Sequence, residues 1–328
     1  MRSYFAFTGY TAPVWRPRFS SVRMPKEPAR GEAPTMATER GAMRRASSAR
    51  VYAARESGAS LAATITTSDS MNVKQLFDLQ GRVALVTGGS RGLGLQMAEA
   101  LGEMGARLAL TARKKDELDE AVAHLKAQGI EATAWVCDLG KREQIAPVIE
   151  QILAKLGKVD ILVNNAGATW GAPAEDHPIE GWDKLVNLNL TGTFLVAQLV
   201  GKKSMIPAKW GRIINIASVA GLQASDPRVV RTVAYNATKH GVVGLTRQLA
   251  AEWGEHGITV NAICPGFFPS KMTKATLDTV GEMVREVTPT RRLGNDEDLK
   301  GLVVLLASEA SRHITGQAIA VDGGAMLI

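Results

Sequence analysis

The sequence predicts one α/β domain built as a doubly wound parallel sheet with helices on both faces. Three observations lead there. Short β-rich apolar runs recur along the chain, amphipathic stretches of helical length separate them, and the first run passes straight into a glycine-rich turn. The apolar runs lie at 82–87, 107–111, 132–137, 161–164, 212–217 and 259–264, with a last short one at 318–321. Between them, the stretches 116–128, 142–156 and 237–256 place apolar residues at helical spacing. A strand buried on both faces has no polar side to show, so the runs are continuous rather than alternating. That is the expectation for a parallel sheet covered twice.

A boundary is expected near residue 71. Residues 1–70 are rich in Arg, Ser, Ala, Thr and Pro, without a sustained helical or strand period. Such a segment buries too little apolar surface to offset its ordering entropy, so a disordered leader is expected, followed by a catalytic domain at 71–328. Three readings of the leader stand open: an organellar transit peptide, a regulatory or nucleic-acid-binding tail, or upstream sequence ahead of a working start at Met71. The net charge of +7 belongs to this segment. Residues 1–70 hold eleven basic and five acidic residues, a net +6, whereas 71–328 holds 28 against 27. The body is therefore nearly neutral, which argues against a nucleic-acid surface there. No run is apolar and long enough to span a bilayer. A cytoplasmic enzyme is expected, or an imported one if 1–70 is a transit peptide. Cys137 and Cys264 lie in apolar runs without His or carboxylate at ligand spacing. They read as buried structural thiols, with no metal expected.

The first strand runs into Thr87-Gly88-Gly89-Ser90-Arg91-Gly92-Leu93-Gly94, where a helix begins. Glycines let backbone approach a pyrophosphate, and a helix N-terminus directs unpaired N–H groups at the anion. The turn therefore predicts a Rossmann-type sheet and a dinucleotide, although its spacing is G-x-x-x-G-x-G rather than G-x-G-x-x-G. An acidic residue ending the second strand would hold a ribose 2′-hydroxyl and favour NAD. Here the chain has Ala112-Arg113-Lys114-Lys115, and Arg91 stands in the glycine turn. Two guanidinium groups beside a 2′-phosphate favour NADP over NAD.

Tyr235-Asn236-Ala237-Thr238-Lys239 sets a phenol and an ammonium at i and i+4, neighbours on one helix face. A phenol is a poor base near pH 7, and a nearby ammonium brings its pKa down toward a useful range. Ser218 follows the strand-like run 212–217, at the carboxyl edge where open α/β sheets bind ligands.

On these motifs and those that follow, 71–328 resembles the short-chain dehydrogenase/reductase family throughout. The likeness rests on Thr87–Gly94, Asn164-Asn165-Ala166-Gly167, Asn189, Ser218, Tyr235 with Lys239, Pro265-Gly266 and Asp322-Gly323-Gly324. The resemblance implies that Tyr235 protonates a carbonyl oxygen as hydride arrives. It implies that Lys239 lowers the tyrosine pKa and binds the nicotinamide ribose. Ser218 would polarise the carbonyl, and Asn189 would support a water chain to Lys239. Gly88, Ser90, Arg91, Gly92, Leu93, Gly94 and Arg113 would hold the pyrophosphate and adenosine end. Asp138 would meet the adenine, and Asn165 and Gly167 would line the cleft. Pro265, Gly266, Phe268 and Ser270 would bracket the nicotinamide. A homotetramer is also implied, through the long helices 182–202 and 237–256.

For the substrate, two resemblances compete. Runs at 168–172 and 265–273 are similar to bacterial 3-oxoacyl-thioester reductases, including the rhamnolipid-pathway branch. The run 292–300 is similar to gluconate 5-dehydrogenases. The first makes the substrate a carrier- or CoA-bound 3-ketoacyl group, and the second a keto-sugar acid. Arg228 and Arg231, in the connection between Ser218 and Tyr235, could attract an anionic substrate. The segment 267–283 is expected to form a helical lid. A non-catalytic dinucleotide-binding regulator is the remaining alternative, and intact Asn189, Ser218, Tyr235 and Lys239 argue against it.

Overall fold

The computed structural model describes residues 70–327, so expectations for the leader fall on 1–69, outside the described residues. Seven parallel strands form one sheet: β1 (Val83–Thr87), β2 (Arg107–Ala112), β3 (Ala132–Val136), β4 (Ile161–Asn164), β5 (Gly211–Ile216), β6 (Ile258–Pro265) and β7 (Ala318–Val321). Their order is β3-β2-β1-β4-β5-β6-β7. The direction of winding reverses between β1 and β4, and such a reversal opens a crevice at the carboxyl edge of the sheet. Each strand lies within a residue or two of its expected apolar run.

The longer helices are α1 (Gly92–Glu103), α2 (Lys115–Ala127), α3 (Arg142–Leu156), α5 (Val233–Trp253), α6 (Lys274–Val287) and α7 (Lys300–Ala307). Between α3 and α5 runs α4, spanning 179–208, which two wider π-type segments interrupt at Val186–Gly192 and Gly201–Met205. Side chains alternate across a strand, and the core follows that rule. Ala84 and Val86 of β1 pack with Met97 and Leu101 of α1, Leu118 of α2 and Val303 of α7. Val83 and Leu85 face the opposite layer, with Ile149 and Ile152 of α3, Val196 of α4 and Leu249 of α5. Helix layers therefore cover both faces, as the continuous apolar runs require. Cys137 and Cys264 are buried and unpaired, and burial pushes each thiol up to about 11. Neither is a nucleophile at neutral pH. No helix among the described residues is long and apolar enough to cross a membrane.

Candidate active site

The strand ends are level. Thr87 pairs with Thr111 and Asn164, and Asn164 pairs with Asn215, so the loops leaving β1, β2, β4 and β5 rise from one edge. There they enclose a cleft of about 540 Å³. It collects Gly88, Ser90, Arg91, Gly92, Leu93, Gly94, Arg113, Asp138, Asn165, Gly167, Pro265, Gly266, Phe268 and Ser270, together with Ser218, Tyr235 and Lys239.

The glycine turn is built for close approach. Gly88 and Gly92 sit at φ +64 and +53, a region that side-chain-bearing residues rarely enter. A Cβ on Gly94 would run into the Gly88 carbonyl and stand 2.5 Å from Asn165 Nδ2. Asn165 explains why the turn holds its shape: its amide donates to the Thr87 and Gly88 carbonyls at 3.0 and 3.1 Å. The Thr87 hydroxyl accepts from the backbone N–H groups of Asn165 and Ala166 at 3.0 and 3.1 Å. Asn165 therefore shapes the cleft from beneath. Asp138 sits in the cleft wall and accepts from Gly140 N at 3.0 Å, so it shapes a tight turn and does not cap α3. Ser270 and Thr273 hydrogen-bond one another, which folds the loop ahead of α6.

Two features of the cleft wall near the end of β2 stand out. The Thr111 hydroxyl at the end of β2 lines the cleft, buried and without a hydrogen-bond partner. Burying such a group without a partner costs free energy. Arg113 is exposed at the cleft edge with no ion-pair partner among the described residues. Beside it, Arg91 and Lys114 both bind Glu117 of α2, the latter at 3.1 Å. Neither Thr111 nor Glu117 belongs to a motif in the sequence. For Glu117 a signal was available, because it stands three residues after Lys114 on the same helix face.

Tyr235 and Lys239 lie one turn apart on α5, with the Lys239 Nζ 5.6 Å from the phenol ring centre. The ammonium donates to the Ile216 carbonyl at 2.6 Å. It is 5 % exposed, and burial pushes its pKa down to about 8. Burial also raises the Tyr235 phenol above its ordinary value, although the neighbouring Ser218 hydroxyl acts the other way. This reverses the direction expected from the i, i+4 ammonium. Desolvation of the phenol dominates, and the ammonium is directed at a carbonyl instead. The phenol therefore holds its proton at neutral pH, the state that a proton donor needs.

Asn189 lies in the first π-type segment of α4, buried to 1 %. Its amide accepts from Ala168 N at 2.9 Å and donates to Ala168 O at 3.0 Å and to the Thr238 hydroxyl at 3.1 Å. Thr238 in turn donates to the Tyr235 carbonyl. The extra residue of a π segment turns a side chain off the regular helical stripe, and such segments often mark functional positions. Asn189 thus ties the β4 loop to the helix that carries Tyr235. It does not reach the cleft wall itself. Gly167 joins the groups above it: a Cβ there would lie 3.3 Å from Asn189 Oδ1 and 3.8 Å from Lys239 Nζ.

Beyond Ser218 and Tyr235 the cleft opens into a second cavity of about 820 Å³. Its wall includes Phe267, Met272, Met283, Val284, Val287 and Leu293, much of it from α6 and the preceding loop. The helix expected in this segment is present, displaced toward the carboxyl end as Lys274–Val287. Arg228 lines this cavity, but Asp226 binds one edge of its guanidinium, Nε at 3.0 Å and Nη2 at 2.6 Å. Those bonds hold the Asp226 carboxyl down to about 2. Arg292, also in the wall, is held by Asp298 in the same manner, which lowers that carboxyl too. Arg231 does not line the cavity. Its carbonyl accepts from Ala172 N at 2.9 Å, tying the β4 loop to the start of α5.

Comparison with known proteins agrees with this geometry. The family profile described as short chain dehydrogenase matches residues 82–281. Gluconate 5-dehydrogenase of Gluconobacter oxydans is 37% identical over 256 residues, covering 77% of this chain and 98% of that protein. A 3-oxoacyl-acyl-carrier-protein reductase of Staphylococcus epidermidis is 38% identical over 242 residues, covering 74% and 97%. The crystal structure of a gluconate 5-dehydrogenase from Burkholderia cenocepacia, in complex with NADP and tartrate, superposes with a TM-score of 0.74. It is 35% identical, covering 78% of this chain and 100% of that one.

Proposed function

The chain belongs to the short-chain dehydrogenase/reductase family and is a nicotinamide-dependent oxidoreductase, and on that premise we propose that it reduces a 3-oxoacyl thioester to the 3-hydroxy compound with NADPH. The substrate reading rests on one observation. The cavity beside Ser218 and Tyr235 is walled by methionine, valine, leucine and phenylalanine, and the two arginines in its wall are already engaged by Asp226 and Asp298. An apolar acyl arm fits such a wall. A polyhydroxy acid would find hydroxyl partners there in Thr169, Gln223 and Thr276, but, among the described residues, no unpaired cation for its carboxylate.

The bound nicotinamide supplies the hydride. The residues do the rest. Ser218, 9 % exposed where the two cavities meet, donates to the carbonyl oxygen and orients it. Tyr235, protonated at neutral pH, gives its proton to that oxygen as negative charge develops there. Lys239, positively charged below about pH 8, favours the phenolate left behind and is the inner end of the path that returns a proton from solvent. Asn189 acts through position, holding the β4 loop and α5 in register. Gly88, Ser90, Arg91, Gly92, Leu93 and Gly94 cradle the pyrophosphate, Asp138 meets the adenine, and Pro265, Gly266, Phe268 and Ser270 flank the nicotinamide.

Arg113 supports NADP over NAD, since it stands at the cleft edge with no carboxylate of its own. Arg113→Ala is expected to weaken NADPH binding about ten- to hundredfold, the value of one or two charge-assisted hydrogen bonds. NADH binding should change little. Equal loss for both cofactors in a fluorescence titration would show that Arg113 does not meet the 2′-phosphate.

The substrate is tested by following NADPH oxidation with a 3-ketoacyl thioester and with 5-ketogluconate. Turnover of the thioester supports the proposal, and turnover of the keto-sugar acid alone would transfer the chain to the carbohydrate branch. Assembly as a homotetramer is part of the proposal. Exposed Ile179, Trp182 and Phe194 on α4 and Val233 on α5 offer it apolar surface. Light scattering on the 35.0 kDa chain should give four times that mass, and a monomer would remove this part.

A further inference from the structure

The cation cluster at the adenosine end of the cleft contains a carboxylate that the cofactor reading leaves unexplained. Arg91, Arg113 and Lys114 line the same edge, and Glu117 stands among them. Glu117 binds Arg91 and Lys114 through one oxygen, while Arg113 is left free. Its side chain is the least exposed of the three paired groups, at 20% against 47% for Arg91 and 57% for Lys114. Glu117 also occupies the first turn of α2, where the helix dipole favours a carboxylate. It is thus an anion fixed on a helix, with two more exposed cations leaning onto it.

Resting on the reading that this cleft holds a nicotinamide dinucleotide, we infer that Glu117 is a specificity-determining residue that competes with the cofactor's 2′-phosphate for Arg91 and Lys114. A 2′-phosphate carries between one and two negative charges near neutral pH and bears the same kind of acceptor oxygens as the carboxylate. To bind both cations it must draw them off Glu117, and it gains only the difference between the two sets of ion pairs. A cofactor with a 2′-hydroxyl makes no such demand and leaves the Glu117 pairs intact. Glu117 therefore narrows the advantage of NADPH over NADH, while Arg113 maintains it. The cluster carries three cations and one anion, a net +2, so it remains attractive to a phosphate with Glu117 in place.

The test is direct cofactor binding to the full chain, read by fluorescence titration with NADPH and with NADH and independent of any substrate. Glu117→Gln keeps the shape of the side chain and removes its charge. It is expected to tighten NADPH binding about three- to tenfold and to change NADH binding less than twofold. The gain should shrink at high salt, because these charges are half-exposed and screened. Weaker NADPH binding in Glu117→Gln would overturn the inference, since Glu117 would then be holding Arg91 and Lys114 in place for the phosphate. A second variant separates competition from simple repulsion between Glu117 and the phosphate. With Arg91→Ala and Lys114→Ala already present, adding Glu117→Gln should give no further gain, and a persistent gain would contradict competition. Failure of every form to bind NADPH or NADH would instead sink the cofactor reading.

Discussion

Tyr235→Phe is expected to lower kcat for carbonyl reduction at least a thousandfold while leaving NADPH affinity within about twofold. The substitution removes one oxygen from a ring that lines both cavities, and leaves the helix backbone as it is. Tyr235 N–H and C=O belong to α5, and the Thr238 hydroxyl that supports Asn189 bonds the Tyr235 carbonyl rather than its phenol. The loss therefore falls on the chemical step. Burial holds the phenol above its ordinary pKa, so the wild-type group is protonated across the neutral range and ready to donate. Stopped-flow measurement of NADPH oxidation checks this with substrate saturating. Activity within tenfold of wild type would mean that another group supplies the proton.

Lys239→Met should abolish turnover and yet stabilise the fold at neutral pH. The Lys239 pKa is lowered from 10.5 to about 8 by burial, so the folded state binds its proton less readily than the unfolded chain. The sign follows from linkage: at pH below about 8 the buried ammonium costs stability in full, about 3 kcal/mol. As pH rises from 8 toward 10.5 the unfolded chain holds more protons than the folded one, and the cost fades. Removing the lysine also removes its bond to the Ile216 carbonyl, worth about 1 to 1.5 kcal/mol. The net gain near pH 7 is then roughly 1 to 2 kcal/mol, or about 2 to 8 °C in melting temperature for a domain of this size. That gain should vanish by about pH 10. A lower melting temperature at pH 7, or a difference independent of pH, would show that the ammonium is not held at a cost. A functional group that destabilises its own fold is a common trade in active sites.

The positions of the strands were legible because burial on both faces keeps each run mostly apolar, and β1 and β4 fall almost where their apolar segments do. Ser218, Tyr235 and the glycine turn were legible for a different reason. Their chemistry depends on neighbours in sequence or on the end of a strand, and both are visible in one dimension. Asn189 shows the limit. Its residue type was marked, but its place in a π-type segment depends on how α4 packs over the β4 loop, which no local pattern records. Arg228 shows another. One residue separates it from Asp226, so the pair was visible in sequence, yet only the turn that brings both oxygens to one guanidinium shows the two engaged. The direction of the Tyr235 pKa was misjudged because an i, i+4 ammonium was weighed without the burial that surrounds both groups. Burial is a property of the assembled layers, and it outweighs a neighbour whose proton points at a carbonyl.

The measurement that bears most directly on the central claim follows the hydride itself. A 3-ketoacyl thioester is turned over with NADPH carrying deuterium on both positions of nicotinamide carbon 4, and the product is analysed by mass spectrometry. The account predicts one deuterium per turnover, on the carbon that bears the new hydroxyl, with the hydroxyl proton taken from solvent through Tyr235. Product without deuterium at that carbon, or cofactor oxidation without a hydroxyacyl product, would contradict hydride transfer to the 3-oxo group.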